Sequence, residues 1–155
     1  MTTLAMEQTV QTMEIVKSEL IDAPIDIAFQ AMLDELGPEA QMPDGKTLSM
    51  KLEAWPGGRW FRDLGNDTGH LWGHVQVIKP PALLELYGPM PMSYPALNHV
   101  QYRLTSENGK TRLQFTHKAM GLIPAEHRDG MPEGWAFWLK RIRERAEARK
   151  TGRAK

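Results

Sequence analysis

The sequence has 155 residues, no cysteine, and 19 basic residues balanced by 19 acidic ones. That excludes disulfides, thiolate catalysis and zinc–thiolate centres, and it leaves no net charge to draw the whole molecule to nucleic acid or to an acidic surface. No run approaches the ~18 consecutive apolar residues of a membrane span. The first dozen residues lack a basic start and a continuous apolar stretch, so no secretory signal is read and a cytoplasmic location is the default.

One domain is expected over residues 13–150, with a flexible leader at 1–12 and a basic tail at 151–155. Met13 to Ile21 mixes β-branched and charged residues and reads as a strand. Asp22-Ala23-Pro24 ends it, and Pro24 opens a helix to about Leu36, stopped by Gly37-Pro38. Pro38 to Gly45 is a loop. Leu48, Met50, Leu52 and Ala54 alternate with polar residues as in a half-buried strand. Pro56-Gly57-Gly58 turns the chain into a strand from Arg59 to Leu64, and Gly65-Asn66-Asp67 turns it again.

Gly69 to Ile78 reads as a long strand. Simple alternation puts Leu71, Gly73, Val75 and Val77 on one face and His70, Trp72, His74 and Gln76 on the other. Pro80-Pro81 breaks it, and Leu83 to Tyr87 is a short strand. Gly88 to Leu97, with its prolines and methionines, reads as a loop. Val100, Tyr102 and Leu104 form one face of the next strand. Asn108-Gly109 makes a hairpin turn, and Leu113, Phe115 and His117 share a face of the last strand. Ala119 to Gly130 reads as a connection with room for one helical turn.

The final stretch, Met131 to about Lys150, reads as a long amphipathic helix with Pro132 in its first turn. Gly152 lies just past its end. Trp135, Trp138, Leu139, Ile142 and Ala146 form its apolar stripe. Each buried aromatic covers about 150–250 Å², so the stripe needs a large concave partner. From Lys140 to the C-terminus there are eight basic and two acidic residues, which leaves the rest of the chain net acidic by six. The expected reading is a solvated outer helix face, with a docking site for an acidic partner as the rival. Strand, helix, a run of antiparallel strands and a long helix make an α+β fold, a curved antiparallel sheet of about six to seven strands around the C-terminal helix.

That order resembles the helix-grip fold of the SRPBCC superfamily, which includes START lipid-transfer domains and birch-pollen-allergen-like proteins. Ile21-Asp22-Ala23-Pro24 with Phe29, Pro56-Gly57-Gly58-Arg59-Trp60, Gly73-His74-Val75 with Ile78-Lys79-Pro80-Pro81, Thr116-His117 and Gly134-Trp135 occur in the order of the activator of heat-shock-protein-90 ATPase homologue-like family. The resemblance implies a helix-grip fold and a cavity for a hydrophobic or lipid-like ligand. It does not by itself choose an activity. Where the family often has a tryptophan after Pro-Pro, this chain has Tyr87.

Several residues could carry chemistry. His70 and His74 on one strand are about 13 Å apart along it, too far for one ion, so no metal is expected, and no cofactor motif appears. His117 should point inward, either as a core histidine or as a ligand-orienting or acid–base group. Trp60, Tyr87, Tyr102, Phe115, Trp135, Trp138 and Leu139 are the candidate cavity wall or else ordinary core, and Met90 and Met92 are either flexible caps for its mouth or part of a solvated loop. Three functions are open. The leading one is a binding module for an apolar or aromatic small molecule, monomeric or homodimeric. The others are a cyclase, hydratase or hydrolase with His117 as acid/base, and a chaperone-activator-like interaction module.

Overall fold

The computed structural model describes residues 7–152. The last three residues of the expected basic tail and the first six of the expected leader lie outside them. The elements are β1 (Gln11–Ile21), α1 (Ile25–Leu36), β2 (Met50–Leu52), β3 (Arg59–Gly65), β4 (Thr68–Lys79), β5 (Leu83–Gly88), β6 (Ala96–Glu107), β7 (Lys110–Gly121) and α2 (Ala125–Gly152). The strands form one antiparallel sheet in the order β1-β7-β6-β5-β4-β3-β2. Strands β2 to β7 run as a meander, and β1 closes onto β7. This is the α+β helix-grip architecture. No helix is long and apolar enough to cross a membrane among the described residues.

Both helices lie on one face of the sheet. The inward positions Leu84, Leu86, Val100, Tyr102, Leu104, Leu113 and Phe115 meet Phe29, Met32 and Leu36 of α1 and Trp135, Leu139, Ile142 and Ala146 of α2. The expected helix stripe is therefore the buried one, with Trp138 packed at its edge. Asn108 and Gly109 both adopt positive φ, 53° and 81°, the backbone that a two-residue hairpin demands.

Four expectations need correction. First, α2 begins at Ala125, not Met131, and Pro132 lies inside the helix. Pro124, rather than Pro132, supplies the start: its carbonyl accepts the amide of Arg128 at 3.0 Å. Second, β7 runs on to Gly121 and β6 begins at Ala96, which shortens both expected loops.

Third, the alternation along β4 breaks. Trp60 pairs with Gly73 but Phe61 pairs with Leu71, so Trp72 is an extra residue, a β-bulge that resets which face side chains take. Trp72 turns inward, 6% exposed, and Leu71 turns outward, 44% exposed. The backbones are close at this point. A Cβ at Gly73 would lie 2.4 Å from the Tyr87 carbonyl oxygen, so no larger residue fits there.

Fourth, the basic face of α2 is not merely solvated. The Glu35 carboxylate is buried and accepts from the Arg141 Nε at 3.0 Å and from Arg145 Nε. Arg149 pairs with Asp34 at 2.6 Å, Arg143 with Glu19 at 3.0 Å and Lys150 with Asp22 at 2.7 Å. The acidic excess of the N-terminal part faces the basic excess of α2, and the two neutralise each other across the α1–α2 and β1–α2 seams.

Candidate functional site

Four of the five tryptophans gather where β3, β4 and α2 meet. Trp60 and Trp72 have ring centroids 5.2 Å apart, Trp72 and Trp138 6.0 Å, and Trp135 stacks on Trp138 at 5.8 Å. Their indole N–H groups are strong donors that burial obliges to find acceptors. Trp60 donates to the Leu36 carbonyl and Trp138 to the Glu35 carbonyl, each at 2.7 Å. These are carbonyls of the last turn of α1, which have no partner within their own helix. Trp135 donates to His117 Nδ1 at 2.9 Å. Among the described residues, Trp72 Nε1 is buried without an acceptor.

His117 points inward as its strand position predicts, and it is fully buried. Its Nδ1 accepts from Trp135, so its Nε2–H donates to Asn98 Oδ1 at 2.7 Å. Asn98 in turn donates through Nδ2 to the carbonyls of Gly88 and Pro89, at 3.1 and 3.3 Å. One hydrogen-bonded chain thus ties α2 to β7, β6 and the β5–β6 connection. Burial, and secondly the nearby His99, push the His117 pKa down to about 4. The imidazole is neutral near pH 7, with one nitrogen donating and the other accepting.

In front of this chain lies a cavity of about 360 Å³ lined by Trp72, Met90, Pro91, Met92, His117, Glu126, His127, Gly130, Met131, Gly134, Trp135 and Trp138. Within the α2 wall, Glu126, Gly130, Gly134 and Trp138 form one row at four-residue spacing. A Cβ built at either glycine meets no atom within 4 Å. The opposite wall is the β5–β6 connection. Met90 holds a left-handed backbone, φ 58°, and donates its amide to the Trp72 carbonyl at 2.8 Å. That conformation is strained for a side-chain-bearing residue, and it tucks Met90 and Met92 inward at 1% and 3% exposure. Tyr94 OH hydrogen-bonds His127 Nδ1, joining the same connection to the first turns of α2. A second, larger depression, about 550 Å³, lies on the outer sheet face among Thr12, Glu14, Leu97, His99, Lys118 and Met120.

Of the residues expected in the wall, Trp135, Trp138 and His117 line the cavity, and Met90 and Met92 are buried in its lining. Trp60 touches Trp72 and Trp138 from behind, and Phe115 backs Trp135 at 4.6 Å. Tyr102 packs on Phe115, its hydroxyl buried without a partner, and Leu139 is core. Tyr87 faces away from the cavity, 42% exposed, and packs on His74. His74 Nδ1 is 3.1 Å from the Gly57 carbonyl. Trp72, Asn98, Gly130 and the Tyr94–His127 pair were not foreseen. Gly73 next to Trp72 was the available signal, since a glycine inside a strand marks a bulge or a close approach.

No curated protein matches the sequence significantly. Among solved structures, an uncharacterised protein from Rhizobium leguminosarum is 18% identical, with 92% of this chain and 99% of that one aligned and a TM-score of 0.71. A protein from Rhizobium loti is 19% identical, over 88% and 99% of the two chains, with a TM-score of 0.69. The Aha1 dimer from Colwellia psychrerythraea is 18% identical over 92% and 99%, with a TM-score of 0.60. These likenesses are of fold. Residues 22–147 match the Activator of Hsp90 ATPase homolog 1-like proteins, and the chain belongs to that family.

Proposed function

We propose that the protein is a binding module that takes an apolar or aromatic small molecule in the cavity between α2, β4, β7 and the β5–β6 connection. The observation that carries this reading is the wall itself. Three tryptophans and three methionines surround about 360 Å³ of space that two helical glycines keep open. Burial of an apolar ligand there is favoured by about 25 cal/mol for each Å² removed from water. An acid–base role for His117 is disfavoured, because both ring nitrogens are already engaged and protonation would break the Trp135 bond. On this reading the protein works in the cytoplasm as a monomer or a homodimer, and the dimer has a precedent in the Colwellia psychrerythraea structure.

The test is titration with the neutral fluorescent amine N-phenyl-1-naphthylamine. The native protein should bind it with one-to-one stoichiometry. Gly134→Leu should abolish binding while the far-UV spectrum stays unchanged, since leucine is a better helix former than glycine by roughly 0.8 kcal/mol. Dye binding that appears solely on acid unfolding would overturn the reading, because loosened cores bind such dyes without a site.

A further inference from the structure

Resting on the cavity reading, we infer that the ligand is a flat, uncharged molecule carrying a hydrogen-bond acceptor, such as an aryl ketone, ester or ether, and that Trp72 Nε1–H is the donor that reads it.

Among the described residues, one buried side-chain polar atom of the wall lacks a partner. The Trp135 N–H is held by His117 and the Trp138 N–H by the Glu35 carbonyl. His117 has one nitrogen on Trp135 and the other on Asn98. His127 Nδ1 is taken by Tyr94. Trp72 remains, with its N–H buried and unpartnered. An unmade hydrogen bond on a buried donor is a standing cost, and a ligand oxygen would remove it. Because the free group is a donor, a ligand that satisfies it brings an acceptor.

Charge follows from the same wall. It contains no lysine or arginine, and its carboxylate is Glu126, an exposed residue at the rim. An anion would enter apolar surroundings with no cation to meet it and would pass a carboxylate on the way. Shape follows from the side chains. The Trp135–Trp138 stack, 18° between planes, and the edge-on Trp72 are surfaces suited to a flat ring. The glycine row supplies the gap in α2 that such a ring would occupy. Met90 and Met92 are unbranched and can yield around it.

The experiment compares 2-acetylnaphthalene with 2-ethylnaphthalene, two neutral probes of similar size that differ in the acceptor. Both are titrated into wild type and Trp72→Phe, with N-phenyl-1-naphthylamine as the check that the cavity persists in the variant. The ratio of the two affinities should shift by about tenfold against the ketone in Trp72→Phe, the scale of one buried hydrogen bond. Loss of indole surface weakens both probes alike and cancels in the ratio. An unchanged ratio with both probes bound would overturn the inference and leave the cavity reading standing. Failure of all three probes to bind wild type would overturn the cavity reading and this inference with it. Should the variant not fold, the wild-type indole N–H resonance of Trp72 decides. Its downfield shift with the ketone alone supports the inference, and equal shifts or none with both probes refute it.

Discussion

His117 should make the stability of this protein depend on pH in a defined window. Its native pKa is about 4, against an ordinary value of 6.5, because the imidazolium would be buried. The unfolded chain therefore takes up a proton at this residue about 2.5 pH units before the native protein does. Stability from the neutral, buried imidazole is fully present above 6.5 and is lost as pH falls through about 4. At 1.36 kcal/mol per pKa unit, the loss is on the order of 3 kcal/mol. His117→Gln isolates it. The variant's amide N–H can still donate to Asn98 and its oxygen can still accept from Trp135, but it does not titrate. Carboxylates titrate in both proteins, so the difference between them belongs to this site. Urea unfolding at about pH 7, 5.5 and 4.5, converted through a common m-value, should show the wild type losing stability faster than the variant on acidification. Parallel pH profiles would refute the reasoning, and would mean that the imidazole either reaches water or is charged in the fold.

Other substitutions test the packing. Leu139→Ala, in the middle of the buried stripe, should cost about 2–5 kcal/mol, whereas Lys140→Ala on the outer face should stay within about 0.5 kcal/mol; equal urea midpoints would contradict the helix orientation. Glu35→Gln should cost roughly 3 kcal/mol by leaving Arg141 and Arg145 without their shared carboxylate. Glu107→Gln, at the exposed pair with Arg112, should cost less than about 1 kcal/mol, and similar melting shifts for the two would deny the buried staple its weight. Gly134→Ala should raise stability by about 0.5–1 kcal/mol, since its Cβ meets nothing; a lower melting midpoint would show that the wall is not open there.

The elements were legible where one physical rule governed them. Period two along β6 and β7 put Tyr102, Phe115 and His117 inward, and all three are fully buried. The four-residue step along α2 found its stripe because burial there is one-sided. The rule failed on β4, where a single extra residue inverted Leu71 and Trp72. Periodicity carries no memory across a bulge, so any reading that counts parity through Trp72-Gly73 must go wrong on one side of it. Helix boundaries failed for a related reason. Pro124 and Pro132 both satisfy the rule for a first turn, and local sequence alone does not rank them. The charge imbalance was visible in the sequence, but its resolution was not. That Arg141 and Arg145 meet Glu35 depends on the docking of two helices whose paired residues lie more than a hundred positions apart in the chain.

The site was half legible for a different reason. Trp135, Trp138 and His117 were visible as large or titratable groups at inward positions. What distinguishes this candidate site from an ordinary core lies in residues that contribute by what they lack. Gly130 and Gly134 contribute empty space, and each costs the helix about 1 kcal/mol relative to alanine. Pro132 between them removes a helical hydrogen bond. Met90 holds a strained backbone, and Trp72 a buried donor without an acceptor. A core shaped by stability alone would shed such features, because a single substitution relieves each of the glycines. Here they converge on one 360 Å³ cavity, where local rules give way together. Such convergence is expected where a surface is kept for something other than the fold, and it is the physical ground for the proposal that a ligand binds there rather than in the outer-face depression.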